Sequence, residues 1–135
     1  MVLVEIDTQT QIDTDSIAKV AFVVDASNPL AERADLFGLP SATLTLLHTA
    51  GSIPALQKLR EVIGDGTGGN GWVRIREPGT TDDNTDSYAN IRVAPKAEFG
   101  RAPDGEIAQL QTAAGTVIGE VHLPEALRKL RERNR

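Results

Sequence analysis

The sequence predicts an α+β fold. Three observations carry that expectation: short β-branched runs with period-two alternation, one capped amphipathic helix over Ile53–Ile63, and glycine- and proline-rich breaks between the runs. They combine as a single domain with a mixed or mostly antiparallel sheet of five to seven strands. The main helix packs on that sheet, and short helices are expected near residues 29–37 and 124–133. With 135 residues, 40% of them hydrophobic, the chain can bury a core without disulfides or metal. Aromatic content is only 4%, so the core must be aliphatic.

Taken in order, residues 2–6 alternate apolar and polar, and residues 17–24 are rich in β-branched side chains between two Asp/Ser-containing turns. The two are expected to pair as a hairpin or through a long loop. Asn28-Pro29 reads as an N-cap with proline at the first helical position, and Leu30, Ala34 and Phe37 recur at helical spacing before Gly38. Residues 43–47 read as an apolar strand. Ser52 is a good N-cap, Pro54 lies in the first turn, and Ile53, Leu56, Leu59, Val62 and Ile63 form one stripe ending at Gly64, a C-cap.

A glycine-rich connector, residues 64–71, then leads to Trp72. Trp72, Arg74 and Arg76 alternate with Val73 and Ile75, the pattern of a strand buried on one face. Residues 88–93 alternate likewise. Residues 106–123 read as two strands around Ala113-Ala114-Gly115, with a helix over part of 106–114 as the alternative. The strand, helix and strand between residues 43 and 76 make a βαβ outline. Its crossover is right-handed if the strands are adjacent and parallel, and otherwise they lie apart in the sheet.

Residues 1–123 form the expected α+β body, and 124–135 a basic C-terminal helix or tail. Of 14 basic and 19 acidic residues in the chain, five and two respectively lie from Pro124 onward. Arg128, Lys129, Arg131 and Arg133 are therefore the candidate partner-binding residues, either folded back on the acidic body or docked on an acidic partner or neighbouring subunit. A net charge of -5 argues against coating nucleic acid, because phosphate neutralisation needs clustered cations. The longest apolar stretch is far short of a membrane span of about 20 residues. The N-terminus lacks the basic region of a signal peptide, so a cytoplasmic protein, or a virion protein if it is an assembly component, is expected.

The chemistry-bearing motifs are sparse. His48, Thr49, Gly51 and Ser52 stand between a strand and a helix N-terminus, where backbone N–H groups and hydroxyls suit a phosphate or carboxylate. The glycine spacing is neither that of a P-loop nor that of a dinucleotide fingerprint. Asp82, Asn84 and Asp86 occupy the first, third and fifth positions of a calcium-loop pattern, but its glycine and its final glutamate are missing. Cysteine is absent, the two histidines have no metal-ligand spacing, and no cofactor is implied. Two functions follow. The first is a non-catalytic structural or protein-interaction subunit, self-associating or docking on a protein partner through sheet edges, glycine- and acid-rich loops and the basic helix, with a virion or phage assembly component as one version. The second is an anion- or phosphate-binding domain or enzyme built on residues 48–53.

Overall fold

The computed structural model describes residues 3–25, 28–41, 43–79 and 86–133. Its elements, in chain order, are β1 (Leu3–Asp7), β2 (Thr10–Asp13), β3 (Lys19–Asp25), β4 (Asn28–Gly38), β5 (Thr45–Ala50), α1 (Ile53–Ile63), β6 (Trp72–Ile75), β7 (Asp86–Asn90), β8 (Lys96–Ala102), β9 (Gly105–Gln111), β10 (Val117–Val121) and α2 (Pro124–Arg133). The mixed α+β class holds, but the single sheet does not. The strands form a five-stranded sheet in the order β5-β4-β3-β7-β6, a three-stranded sheet β10-β9-β8, and a ribbon β1-β2, and every pairing is antiparallel.

The expected helix near residues 29–37 is the strand β4. Its helical spacing is accidental: over residues 31–38 the buried positions are Ala34, Leu36 and Gly38, each two apart, and backbone hydrogen bonding to β3 on one side and β5 on the other outweighs local propensity. The first strand pairs with β2 and not with the run at 17–24. Residues 106–111 are strand, and β8 is an element that the sequence pattern did not announce. The strand expected at 43–47 lies later, at Thr45–Ala50. It sits at the opposite edge from β6, so the βαβ outline spans the whole sheet with β5 and β6 parallel in direction and three strands between them.

Two cores lie on the two faces of the five-stranded sheet. On one, Val4, Ile6 and Ile12 of the ribbon and Ala55, Leu59 and Ile63 of α1 meet Val20, Phe22, Leu36, Trp72 and Tyr88. On the other, Val73, Ile75 and Ala89 meet Ala108, Leu110, Ile118 and Val121 of the smaller sheet and Ala126, Leu127 and Leu130 of α2. Strand β6 is thus buried on both faces, not one as the alternation suggests. Its period-two pattern sends Trp72 to the first core and Val73 and Ile75 to the second. Helix α1 begins and ends where expected, with Ser52 Oγ accepting from Ala55 N at 3.3 Å and Gly64 at φ 73° closing the last turn onto Arg60 O at 2.9 Å. Ile53 is the exception in its stripe, 71% exposed at the first position of the helix.

Candidate functional site

The turn expected to hold an anion is shortened by β5. His48 and Thr49 belong to the strand, opposite Leu36 and Asp35 of β4, so their backbone is committed to extended pairing. Gly51 and Ser52 alone form the turn, and the Ser52 hydroxyl caps α1. The groove beside them, about 530 Å³, is lined by Leu3, Gln11, Pro54 and Lys58, and also by the carboxylates Glu5 and Asp7. Asp7 is held below the usual carboxylate range, first by the Gln9 N–H, which keeps it charged. Two carboxylates facing one lysine set a field that disfavours a phosphate.

Arg76 is buried where the two larger sheets meet. A two-way backbone bridge links them, with Arg76 N donating to Glu120 O at 2.9 Å and Glu120 N to Arg76 O at 3.0 Å. The Arg76 side chain is fully buried and grips Asp104 with both terminal nitrogens, at 2.6 and 2.9 Å, while Nε lies 3.8 Å from Glu120 Oε1. Glu120 Oε2 accepts from Gly79 N at 3.1 Å and Gln109 Nε2 at 3.4 Å. The hydrogen bond from Arg76 holds the Asp104 carboxyl below its ordinary range. A cavity of about 290 Å³ opens beside this cluster, between Asp104, Glu106, His122 and the Leu127 and Arg131 face of α2. Its acids face arginines of their own chain: Asp104 grips Arg76, and Glu106 pairs with Arg131. This cluster was missed from sequence, although a glutamate inside the apolar run Val117-Ile118-Gly119-Glu120-Val121 is the signal that could have found it.

The basic residues of α2 lie against this chain's own acceptors. Arg128 bonds Glu125 at 3.0 Å and Glu132 at 2.7 Å, which raises its pKa. Arg131 also lies 5.2 Å from the centre of the Phe99 ring. Arg133 donates to Ile91 O at 3.0 Å, and burial pulls its pKa down. The Lys129 stem packs on the glycine connector, where a Cβ at Gly68 would lie 3.3 Å from it. That connector is closed by hydrogen bonds from Gly71 N to Gly68 O and from Arg74 N to Gly66 O. Of the calcium-loop candidates, Asp82 and Asn84 lie outside the described residues. Asp86 begins β7 and bonds Arg60 at 2.9 Å. Arg60 also bonds Glu32 at 3.0 Å and stacks 3.9 Å over Phe22; burial opposes its charge, and the two carboxylates outweigh burial and raise its pKa. Among the described residues, no group of three or more His, Asp or Glu side chains is placed to hold a metal ion.

One surface feature stands apart. Strand β5 is an edge of the five-stranded sheet, paired on one side with β4 and, among the described residues, with no strand on the other. Leu46 and Leu47 are 51% and 42% exposed, and Thr45 and Thr49 are exposed beside them. The register slips between Leu36↔His48 and Phe37↔Leu46, which makes Leu47 a bulge residue. Its side chain lies over Gly38, where an added Cβ would come within 2.4 Å of Leu47 Cδ1. No described helix is long and apolar enough to cross a membrane.

Fold and surface together describe a three-layer α+β protein in which, among the described residues, β5 has a strand on one side only. Set against models of protein families, curated proteins and solved structures, the chain matches none.

Proposed function

We propose that the protein is a non-catalytic structural or interaction subunit that works by engaging another protein through its open sheet edge, a virion or phage assembly component being one version. The observation that carries this reading is β5: among the described residues an edge paired on one side only, with two exposed leucines and no Asp, Glu, Lys or Arg, a template for another strand. The cations of α2 face their own chain's acids and carbonyls, so the edge supports the reading more than the helix does. The 48–53 turn supports an anion site less, since Ser52 caps α1 and Glu5 and Asp7 line the groove.

The test is mass in solution by light scattering over a wide range of protein concentration, with amide exchange followed across residues 45–49. The expected result is an assembly heavier than the 14.4 kDa chain, with those amides slowed. A monomer at every concentration with freely exchanging β5 amides would overturn the reading. A thermal shift with phosphate ligands that Ser52→Pro abolishes would move the assignment to the anion site.

A further inference from the structure

We infer that Asn70-Gly71 is a modification site, a deamidating asparagine that the fold holds unreactive through Arg92 and that reacts when this hold is released.

Asn70 is the one asparagine of the sequence that glycine follows; proline, threonine, isoleucine and arginine follow the others. In such a pair the backbone nitrogen of the glycine, with no side chain to shield it, attacks the asparagine side-chain carbon Cγ. The bond from Cγ to the side-chain nitrogen breaks, and that nitrogen leaves as ammonia with the backbone proton, so that a cyclic succinimide remains. Water opens the ring at either carbonyl and gives aspartate, or isoaspartate with one more carbon in the backbone. Asn70 is exposed, so water reaches the ring.

The fold requires the glycine. Gly71 has φ +83°, and a Cβ there would lie 2.8 Å from Arg92 Cζ, so the guanidinium packs directly on the backbone. That packing also restrains the pair it creates. Both polar groups of the 70–71 peptide are bonded: Gly71 N donates to Gly68 O at 3.1 Å, and Arg92 Nη2 donates to Asn70 O at 3.1 Å. The next carbonyl, Gly71 O, accepts from Ile91 N at 3.0 Å. Because the peptide is planar, turning its nitrogen toward Cγ swings the N–H and the C=O together and breaks both of its bonds at once. The guanidinium draws electrons from Asn70 O and acidifies the Gly71 N–H, but that proton is engaged with Gly68 O, and geometry comes before acidity.

Arg92 is itself anchored. Its N–H donates to Oδ1 of the buried Asn90 at 3.0 Å, and Nη1 lies 3.6 Å from Asp15 Oδ1. The Asn70 amide lies against the C-cap of α1, where a Cβ at Gly64 would come within 2.6 Å of Nδ2. Ring closure therefore waits on local opening of the connector. Either product adds a carboxylate, and isoaspartate lengthens the backbone between α1 and β6, so a chain that has opened here keeps a permanent mark.

The tryptic peptide 61–74, which follows Arg60 and ends at Arg74, holds Asn70 and no other Asn or Gln. Intact chains are incubated at mildly alkaline pH and digested, and the fraction of this peptide heavier by the exchange of NH2 for OH is followed with time. Folded wild type is expected to react roughly tenfold or more slowly than wild type in denaturant. Arg92→Ala should raise the folded rate by roughly tenfold, the weight of one charge-assisted hydrogen bond. Ile12→Ala removes buried volume in the ribbon without touching the connector, and should leave the rate at the wild-type value. Absence of reaction in denaturant, a folded wild type as fast as the denatured chain, or an Arg92→Ala rate no higher than wild type overturns the inference. Equal acceleration by Ile12→Ala also overturns it, since the reaction then proceeds through global unfolding and not through release of Arg92.

Discussion

Arg76 shows how one side chain joins two sheets. A fully buried guanidinium is tolerated because two carboxylates and a backbone bridge surround it, so removing it strands Glu120 in the interior. Arg76→Ala is expected to lose about 3–5 kcal/mol in denaturant unfolding. The Asp104 carboxyl of the same cluster has a lowered pKa, so the folded state holds its proton less tightly than the unfolded chain does. Its stabilisation is present above the ordinary aspartate range, about pH 4, and disappears as pH falls through the lower folded value. Thermal melts of Asp104→Asn across acid pH should therefore show a shallower loss of stability than wild type; an unchanged acid limb would place the titration elsewhere. At Ser52 the hydroxyl caps one orphan N–H of α1, and Ser52→Ala should cost about 1 kcal/mol in the same unfolding assay.

The two helices differ in sequence, yet each buries three side chains. Ile53 is a hydrophobic residue in the α1 stripe, yet it is mostly exposed at the first position of the helix. Leu130 lies in a strongly basic segment that reads as a tail, yet it is fully buried among Val73, Ile75, Val121 and their neighbours. Leu130→Ala is accordingly expected to cost about 2–5 kcal/mol and Ile53→Ala well under 1 kcal/mol, measured side by side by chemical denaturation. Deleting residues 124–135 removes three buried side chains from the second core and is expected to broaden or abolish cooperative unfolding. A sharp, native-like transition in the deletion would show that the body folds without α2.

At the scale of the whole molecule, the five-stranded sheet is a partition between two cores, with α1 and the ribbon on one side and the smaller sheet and α2 on the other. The smaller sheet and α2 cover the β7–β6 end of one face, the ribbon and α1 pack on the other face as far as Ala50 of β5, and β5 lies at the far edge with Leu46 and Leu47 exposed. The acidic net charge opposes association while the uncharged edge permits it. Raising salt from low to physiological strength is therefore expected to shift the light-scattering mass upward, as the Debye length falls from about 30 Å at 0.01 M to about 8 Å. A mass that falls with salt would mean that ionic contacts, not the edge, hold copies together.

Much of this was legible in the residues, and the division has a physical cause. The α+β class, α1 with both of its caps, the strands at Trp72 and Tyr88 and the helix from Pro124 follow from signals a few residues long: a capping serine, a terminal glycine, an alternation or a proline. Such signals act through neighbouring backbone groups and survive any tertiary setting that does not oppose them. Where one did, at residues 28–38, two partner strands outweighed a helical spacing. The remainder depended on pairs distant in the chain. Arg76 meets Glu120 across 44 positions and Asp104 across 28, β5 finds its edge only once β3 and β4 are laid beside it, and β6 is buried twice only because α2 returns to the sheet. Strand order and burial on both faces arise from long-range packing, which no local pattern encodes, and they decide that His48 and Thr49 join the edge strand β5 while Ser52 caps a helix.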